Sequence, residues 1–155
     1  MNCKIKLYNA KALPQQMSAD AACFDVIASE IIQETPDFVI CKLGFALEFS
    51  PEYCLELVPR SSITKTKWIV QNTPGQGDAD YRGEYQLRFR ALPIGFATKE
   101  QGWNMNKLQY PEFPFKEGER IGQIYFRHVI PTTFEPVEEL SDTERGTGGF
   151  GSTKT

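Results

Sequence analysis

The segment from Gln71 to Glu84, QNTPGQGDADYRGE, limits the fold of this chain more than any other stretch. It is rich in glycine and proline, which favour turns because glycine permits positive φ angles and proline fixes φ. An apolar run, Trp68 to Val70, precedes the segment, and apolar residues alternate after it from Tyr85 to Phe89. The pattern therefore predicts a strand, a tight turn and a second strand, with Asp78 on a loop that rigid strands support.

Alternating polar and apolar residues predict further strands in the rest of the chain. These strands run from Lys4 to Tyr8, Phe38 to Phe49, Tyr53 to Val58, Tyr85 to Leu92 and Arg120 to Ile130. One short helix is predicted through Thr64 to Thr66, capped by Ser61 or Ser62. Many short strands separated by turns, without a long helical period, predict one all-β domain: a sandwich, jelly roll or barrel.

Composition and charge argue against several classes of function. The net charge is -3 and Lys and Arg form no long run, which disfavours nucleic acid or a membrane surface as the main partner. No apolar run is long enough to span a membrane, and the first residues do not resemble a signal peptide. The four cysteines lack C-x-x-C spacing and are expected to be reduced thiols. These features predict a cytoplasmic protein.

The two aspartates of the central segment, Asp78 and Asp80, allow three interpretations. Aspartates in a turn are most often simple turn formers. A calcium loop is disfavoured because Arg82 occupies a ligand position and Phe89 stands where the closing Glu should be. The third interpretation is a catalytic carboxylate on a loop held by strands.

The C-terminal stretch from Gly146 to Gly151 matches the spacing G-x-G-x-x-G. No predicted strand precedes it and no chain remains for a following helix, so a dinucleotide fold is excluded, and a P-loop would need Lys at Ser152. What remains is a run of backbone N–H groups that can wrap phosphates, with Arg145 and Thr153 as further donors. A disordered terminus is the alternative, and the aromatic Phe150 counts against it.

Two other motifs are weak when taken alone. The run Arg60-Ser61-Ser62 at a strand end is a plausible anion site, although a helix cap and a surface arginine would explain it equally well. The single histidine, His128, falls on the apolar face of its predicted strand and is expected in the core. A Ser-His-Asp triad therefore has little support.

Five stretches, taken in order, resemble the five motifs of trimeric dUTP diphosphatases (dUTPases). They are Asp20 to Val26, Pro59 to Ile63, Gly75 to Glu84, Gly118 to Ile124 and Arg145 to Thr153. The third and fifth are specific motifs, and all five occur in the order that the family has. The resemblance runs from about Asp20 to Thr153.

The resemblance implies a distorted jelly roll, the β-clip of dUTPases, assembled as a homotrimer whose active sites each use three chains. It implies Mg²⁺-dependent hydrolysis of dUTP to dUMP and pyrophosphate, which keeps uracil out of DNA and supplies dUMP for thymidylate synthesis. Residues 1–140 would form one β domain, with an insertion at about 91–116, and residues 141–155 a flexible arm that closes an active site. Some phage members of the family carry an insertion at a similar place. For a phage-encoded enzyme, the expected location is the cytoplasm of the host.

The resemblance also implies roles for individual residues on the hairpin and the arm. Asp78 resembles the general base that activates water, and Tyr81 resembles the residue that packs under deoxyribose. Asn72 and Gly75, with the hairpin backbone, are similar to the edge that reads uracil. Phe150 resembles an aromatic lid over the base.

Other residues resemble the groups that hold phosphate and metal. Asp25 and Gln123 are similar to residues that hold Mg²⁺ through water, with no direct protein ligand, and Gln123 also resembles a contact of the α-phosphate. The remaining substrate-binding residues implied are Arg60, Ser61, Ser62, Arg145, Gly151, Ser152 and Thr153. Cys23 and Gly77 depart from the family pattern, which has glycine at the first position and an aliphatic residue at the second.

Two alternatives to dUTP hydrolysis stay open at this point. A related dCTP deaminase would need a catalytic Glu in the third motif, where Glu84 lies beyond the turn. A regulatory protein of the same fold would use the stretch from Arg90 to Glu117, which is longer than usual for the family, to hold a protein partner.

Overall fold

The computed structural model describes residues 1–95 and 108–149, and these residues form ten strands and one short 3₁₀ helix. The strands are β1 (Lys4–Leu7), β2 (Phe24–Ile27), β3 (Glu30–Thr35), β4 (Phe38–Lys42), β5 (Phe45–Glu48), β6 (Tyr53–Pro59), β7 (Trp68–Val70), β8 (Gly75–Gly77), β9 (Gln86–Ala91) and β10 (Arg120–His128), and the 3₁₀ helix is Ser61–Lys65. The predicted all-β class, with at most one short helix, is confirmed for the described residues. None of their helices is long and apolar enough to cross a membrane.

The strands form two four-stranded sheets and one strand pair, all antiparallel. One sheet has the order β2-β10-β6-β8, the other has the order β3-β4-β9-β7, and β1 pairs with β5. A single buried cluster takes side chains from both large sheets, such as Leu55 and Ile124 from one and Val39 and Phe89 from the other. The apolar faces of the two sheets therefore meet in one core, which is the arrangement of a jelly roll.

Alternation along the chain explains which side chains reach this core. In β4 the side chains of Val39 and Cys41 are fully buried, while their neighbours are half-buried. The predicted strand from Phe38 to Phe49 is divided at Gly44, whose φ of +76° ends β4. A Cβ atom on Gly44 would also lie 2.7 Å from the Cβ atom of Ala12, so both conformation and space require glycine there.

The central segment connects the two large sheets. Strands β7 and β9 pair in one sheet, as the predicted strand–turn–strand requires, with Val70 opposite Phe89. The segment between them is more than a tight turn, because β8 leaves this sheet and pairs with β6 in the other, with Leu57 opposite Gly75 and Leu55 opposite Gly77. The loop after β8 is consequently held from both sheets.

Several local predictions need correction. Strands β2 and β3 were not predicted, because β2 is short and β3 carries mostly exposed polar residues. The 3₁₀ helix begins at Ser61 rather than Thr64, Arg60 occupies its N-cap position, and no side chain caps it. His128 is exposed at the end of β10, edge-on to Tyr53 at 5.6 Å between ring centroids, and is not a core residue.

The predicted insertion at 91–116 is partly core. Ala91 is the last residue of β9, and Phe113 packs edge-on against Trp68, with 5.0 Å between ring centroids. The Trp68 indole nitrogen donates a hydrogen bond to the Glu112 carbonyl at 3.0 Å. Residues 96–107 lie outside the described residues, so the structural prediction for that part of the insertion stays a prediction.

Regular structure in the described part of the chain ends at His128, and residues 129–149 carry no strand. Five large apolar side chains in this stretch are exposed in a single chain, and the most exposed are Ile130 at 78%, Phe134 at 93% and Leu140 at 87%. A stretch with so much exposed apolar surface is typical of one that packs against a partner.

The aromatic contact between Phe113 and the core provides a test of the revised boundary. Phe113→Ala should lower the free energy of unfolding by about 1–2 kcal/mol, because a half-buried phenyl ring loses its contacts with Trp68 and Phe89. Urea denaturation measures this change. Glu112→Ala is the matched control, since its side chain is exposed and the hydrogen bond from Trp68 goes to its backbone carbonyl. Equal stability of the two variants would show that the Phe113 ring does not contribute to the core.

Candidate active site

The loop after β8 borders a cavity of about 510 Å³. Four residues predicted as site residues line it: Asn72, Gly75, Asp78 and Tyr81. The cavity also has lining residues that sequence reasoning did not assign, namely Leu57, Gln76, Glu84, Tyr85, Gln86 and Arg88. Their positions depend on the pairing of β8 with β6 and of β9 with β7, which a single sequence does not display.

Asn72 fixes the width of the hairpin. Its side-chain nitrogen donates to the Gln86 carbonyl at 3.1 Å, and its side-chain oxygen accepts from the Arg88 backbone N–H at 2.8 Å. The amide thereby replaces the backbone pairing that stops where β7 ends. Both ends of this side chain are therefore engaged within the hairpin.

Tyr81 stands at the rim of the cavity with its side chain partly exposed. Its hydroxyl donates to the Glu84 carbonyl at 3.3 Å, and its ring lies over Gly83, where a Cβ atom would collide with the ring and the hydroxyl. The ring also packs edge-on against Tyr85, with centroids 5.3 Å apart. These contacts fix the orientation of the Tyr81 ring at the rim of the cavity.

Asp78 is exposed and makes no side-chain hydrogen bond or ion pair with another described residue. Its backbone carbonyl accepts from the Tyr81 N–H at 3.2 Å, which closes the turn. The Arg82 guanidinium braces the same turn by donating to the Ala79 carbonyl at 2.6 Å. The carboxylate thus has no partner among the described residues, while the backbone beneath it is held.

A second group of predicted residues gathers around the buried carboxylate of Asp25, which is 4% exposed. One oxygen accepts from the Gln123 side-chain nitrogen at 2.8 Å. The other is 3.1 Å from an Arg120 guanidinium nitrogen and 3.3 Å from Arg60 Nε. Arg60 also donates to the Arg120 backbone carbonyl at 3.3 Å. No role in the site was predicted for Arg120 from the sequence. The only sequence feature that could have indicated one is its position on β10, three residues before Gln123.

Ser62 lies beside this group and has a buried hydroxyl without a hydrogen-bond partner among the described residues. Ser61 is exposed, and its carbonyl accepts from the Thr64 hydroxyl at 2.7 Å. Free serine donors next to a guanidinium form a typical anion-binding arrangement.

The side chains of this group suit magnesium only if most of the ligands of the ion come from substrate and water. The described residues hold no group of three or more His, Cys, Asp or Glu side chains that could bind a metal ion. Mg²⁺ prefers octahedral oxygen coordination, keeps several waters and is usually bound through one or two carboxylates together with phosphates. Asp25 and the Gln123 amide oxygen fit that role through water, because the Asp25 oxygens already accept hydrogen bonds from protein donors.

The predicted residues of the C-terminal stretch are only partly described. Arg145 Nε donates to the Gly148 carbonyl at 2.9 Å, so this side chain closes a local turn. Phe150, Gly151, Ser152 and Thr153 lie outside the described residues, and their roles stay predictions.

Within the described residues, one chain does not bring all the predicted groups together. The cavity beside Asp78 has none of Arg60, Ser61, Ser62 and Gln123 in its lining. The hairpin group and the Asp25 group therefore occupy two places on the same chain.

A buried carboxylate on β6, Glu56, was also missed. Glu56 is 3% exposed and accepts hydrogen bonds from the Tyr125 hydroxyl and, at 2.7 Å, from Arg127. These donors hold the pKa of Glu56 below its usual value of 4.5. Because Glu56 stays charged and fully paired, it supports the sheet that carries β8 and has no free capacity for chemistry.

The fold and the two groups of residues define the class of protein: an all-β jelly roll that holds an exposed carboxylate on a hairpin and a separate cationic group. The dUTPase of Staphylococcus bacteriophage 80alpha with dUpNHpp has a similar fold, with a TM-score of 0.77 and 22% identity over 99% of each chain. A mutant dUTPase from phage phi11 of S. aureus, described with a structural Mg(II) ion, gives a TM-score of 0.69 and 17% identity over 92% of this chain and 100% of that chain.

Sequence comparison gives the family. The dUTPase family model matches residues 104–154. The deoxyuridine 5'-triphosphate nucleotidohydrolase of Nautilia profundicola is 37% identical over 156 residues, 99% of this chain and 99% of the relative. The protein of the same name from Bdellovibrio bacteriovorus is 36% identical over 145 residues, 91% of this chain and 87% of the relative. The chain belongs to the dUTPase family, as its five motifs predicted.

The buried ion pairs of Asp25 provide a test of how the cationic group is held. Asp25→Asn should lower the free energy of unfolding by about 2 kcal/mol, because two guanidiniums and Gln123 lose a charged acceptor. The Arg side chains are partly exposed and regain water, which limits the loss. Urea denaturation measures the change, with the exposed Asp20→Asn as the matched control. A variant as stable as the control would mean that the Asp25 pairs contribute nothing.

Proposed function

We propose that this protein hydrolyses dUTP to dUMP and pyrophosphate, using a water molecule that Asp78 activates. The observation that carries the proposal is the unpaired Asp78 carboxylate beside the cavity that Asn72, Gly75 and Tyr81 line. Family membership supports it, since relatives named as deoxyuridine 5'-triphosphate nucleotidohydrolases align along almost the whole chain. Such an activity keeps uracil out of DNA and supplies dUMP for thymidylate synthesis.

Asp78 accepts a proton from water as the oxygen attacks phosphorus in line with the leaving pyrophosphate. A general base must lie within hydrogen-bond reach of the water and stay there. The braced turn that Arg82 and Tyr81 form meets this requirement. A carboxylate without a protein partner does not have to break an ion pair before it takes the proton.

The hairpin selects the nucleoside. Backbone groups between β8 and β9 pair with the uracil edge, and Asn72 keeps the hairpin at the width that this pairing needs. Cytosine presents the reversed donor pattern and would leave buried polar groups unpaired, which is a strong basis for rejection. Tyr81 packs under deoxyribose and excludes a ribose 2′-hydroxyl.

The cationic group binds the triphosphate. Arg60, Ser61 and Ser62 donate to phosphate oxygens, since charge-assisted hydrogen bonds from Arg are strong. Asp25 and Gln123 would hold Mg²⁺ through water, and the bound ion would supply positive charge against the phosphates. Arg145, Ser152 and Thr153 complete the phosphate contacts, and Phe150 and Gly151 cover the base.

A complete site is assembled from three copies of the chain in a homotrimer. Two observations support this part of the proposal. The cavity beside Asp78 lacks the phosphate-binding residues of its own chain among its described lining. The stretch after β10 exposes Ile130, Phe134 and Leu140, which a neighbouring chain can cover.

The deaminase alternative is disfavoured by the position of Glu84. Its side-chain oxygen accepts a hydrogen bond from the Gly44 backbone N–H at 2.9 Å. This contact ties the hairpin to the turn between β4 and β5, so Glu84 has a structural role. Binding of a protein partner at 91–116 would be a second function beside the enzyme activity. The exposed apolar side chains that the structure describes in this stretch are Leu92 and Ile94.

We place the enzyme in the cytoplasm, where the dUTP pool is. All four cysteines are free thiols, with Cys41 buried and Cys3, Cys23 and Cys54 half-buried. Free thiols are the ordinary state in a reducing compartment.

Turnover assays with several nucleotides test the proposed activity. With Mg²⁺, the protein should release pyrophosphate from dUTP, release little from UTP, and release no ammonia from dCTP. Asp78→Asn should lower kcat on dUTP by about two to four decades, because the amide keeps the shape but cannot take a proton. Asp80→Asn, on the same loop, is the matched control and should retain far more activity. Near-normal turnover by Asp78→Asn would remove the assigned base.

Complementation between chains tests the shared site. A chain that ends after Asp142 should hydrolyse dUTP poorly because it lacks the phosphate and base contacts of the arm. Refolding it together with full-length Asp78→Asn should restore part of the activity, since an intact arm can then cover an intact base. Each variant refolded alone is the control. If the mixture is no more active than the sum of the two, the arm serves its own chain.

A further inference from the structure

Tyr85 is held independently of the loop that carries Asp78. Its backbone N–H donates to the Phe45 carbonyl at 3.1 Å, and its carbonyl accepts from the Leu43 N–H at 3.0 Å. The ring packs against Phe45, with centroids 5.8 Å apart, and the residue is 4% exposed. Phe45 of β5 and Leu43, which follows β4, therefore determine where this ring lies.

The Tyr85 ring occupies the space next to Gly77, the residue before Asp78. A Cβ atom on Gly77 would lie 2.7 Å from Tyr85 Cε1 and 2.9 Å from its hydroxyl oxygen, closer than real Cβ atoms come. Gly77 is part of strand β8, so its backbone conformation alone would accept another residue. Space occupied by the Tyr85 ring is what requires glycine at this position.

The Tyr85 hydroxyl is buried and has no hydrogen-bond partner among the described residues. Burial raises the pKa of Tyr85 to about 12, so the hydroxyl stays protonated. An unpaired buried hydroxyl is unfavourable, and nothing around it in the described structure uses the polar atom. The shape of the ring, rather than its hydroxyl, is therefore the property that the surrounding structure uses.

The Tyr85 ring lies close to two residues that have roles in the proposed function. Asp78 follows Gly77 directly, and Tyr81 packs edge-on against Tyr85 at 5.3 Å between centroids. Gly77 is also paired with Leu55 of β6, whose Cβ atom would lie 3.1 Å from a Cβ atom on Gly77. The backbone before Asp78 is consequently held by its pairing with β6 and has the Tyr85 ring packed beside it.

We propose that Tyr85 is a positioning residue, whose ring sets the location of the Gly77 backbone and thereby of the Asp78 carboxylate. The same ring supports Tyr81 from beneath. This inference rests on the proposed function, in which Asp78 is the general base. A displacement of a catalytic group by about 1 Å can cost up to a hundredfold in rate, so a small change in this contact is sufficient to matter.

Four variants test the proposal: Tyr85→Phe, Tyr85→Leu, Gly77→Val and the double variant Gly77→Val with Tyr85→Leu. Tyr85→Phe keeps the ring and should retain kcat within about twofold, with an unchanged or higher Tm. Tyr85→Leu and Gly77→Val should each lower kcat about tenfold or more, while the Kd of dUpNHpp changes much less. The double variant should recover at least part of that loss, because valine fills the space that the ring leaves.

A control separates positioning from general destabilisation. Phe113→Ala weakens the core at Trp68, away from the loop, and should lower Tm without lowering kcat measured below its melting range. Thermal unfolding of every variant confirms that the compared proteins are folded. If Tyr85→Leu does not fold, the comparison of Tyr85→Phe with Gly77→Val decides the question.

The results that overturn the proposal differ from those that overturn the proposed function. A wild-type protein that releases no pyrophosphate from dUTP would remove the proposed function. If the wild type is active, three results would contradict the positioning role. The first is a folded Tyr85→Leu or Gly77→Val variant with wild-type kcat, and the second is a double variant with a kcat no higher than that of the worse single variant. The third is a loss of kcat in Tyr85→Phe as large as that in Tyr85→Leu. The last case would assign the role to the hydroxyl.

Discussion

The close pairing of β8 with β6 is the contact on which the rest of the site depends. Gly75 lies opposite Leu57, and Gly77 lies opposite Leu55. A Cβ atom on Gly75 would lie 3.3 Å from the Leu57 Cβ atom, and one on Gly77 would lie 3.1 Å from the Leu55 Cβ atom. This approach lets the chain cross from one sheet to the other between β7 and β9. Because the loop after β8 is then held from both sheets, Asp78 can stay exposed without being mobile.

Burial gives the two aspartates of the site opposite tasks. Asp25 is 4% exposed, accepts a hydrogen bond from Gln123 and forms ion pairs with Arg120 and Arg60. Its negative charge is therefore used within the protein. Asp78 is exposed and unpaired among the described residues, so its charge is available to a water molecule. The same side chain thus serves as an organiser of cations in one place and as a candidate base in the other, and only the surroundings differ.

Part of this arrangement could be predicted from the sequence. Alternation revealed the strands around Tyr53 and Leu87, an apolar run revealed the strand at Trp68, and glycine and proline revealed the central turn, because these are local properties. The division at Gly44 requires knowing that the following strand joins another partner. The pairing of Arg120 with Asp25, and the space that Tyr85 takes next to Gly77, depend on strands far apart in the chain. The motifs resembling a family identified Asp25 and Gln123, while the geometry supplied Arg120 and Tyr85.

In the cationic group that we propose binds phosphate, the orientation of the donors outweighs net charge. Two guanidiniums and one carboxylate leave one net positive charge, and removing Asp25 would increase that charge. The increase would not compensate, because Arg60 would lose the contact that fixes the direction of its donors, and Gln123 would lose its partner. Strong Arg–phosphate contacts depend on donors aimed at oxygen positions, so a buried acceptor behind the guanidinium strengthens recognition even though its own charge opposes the ligand.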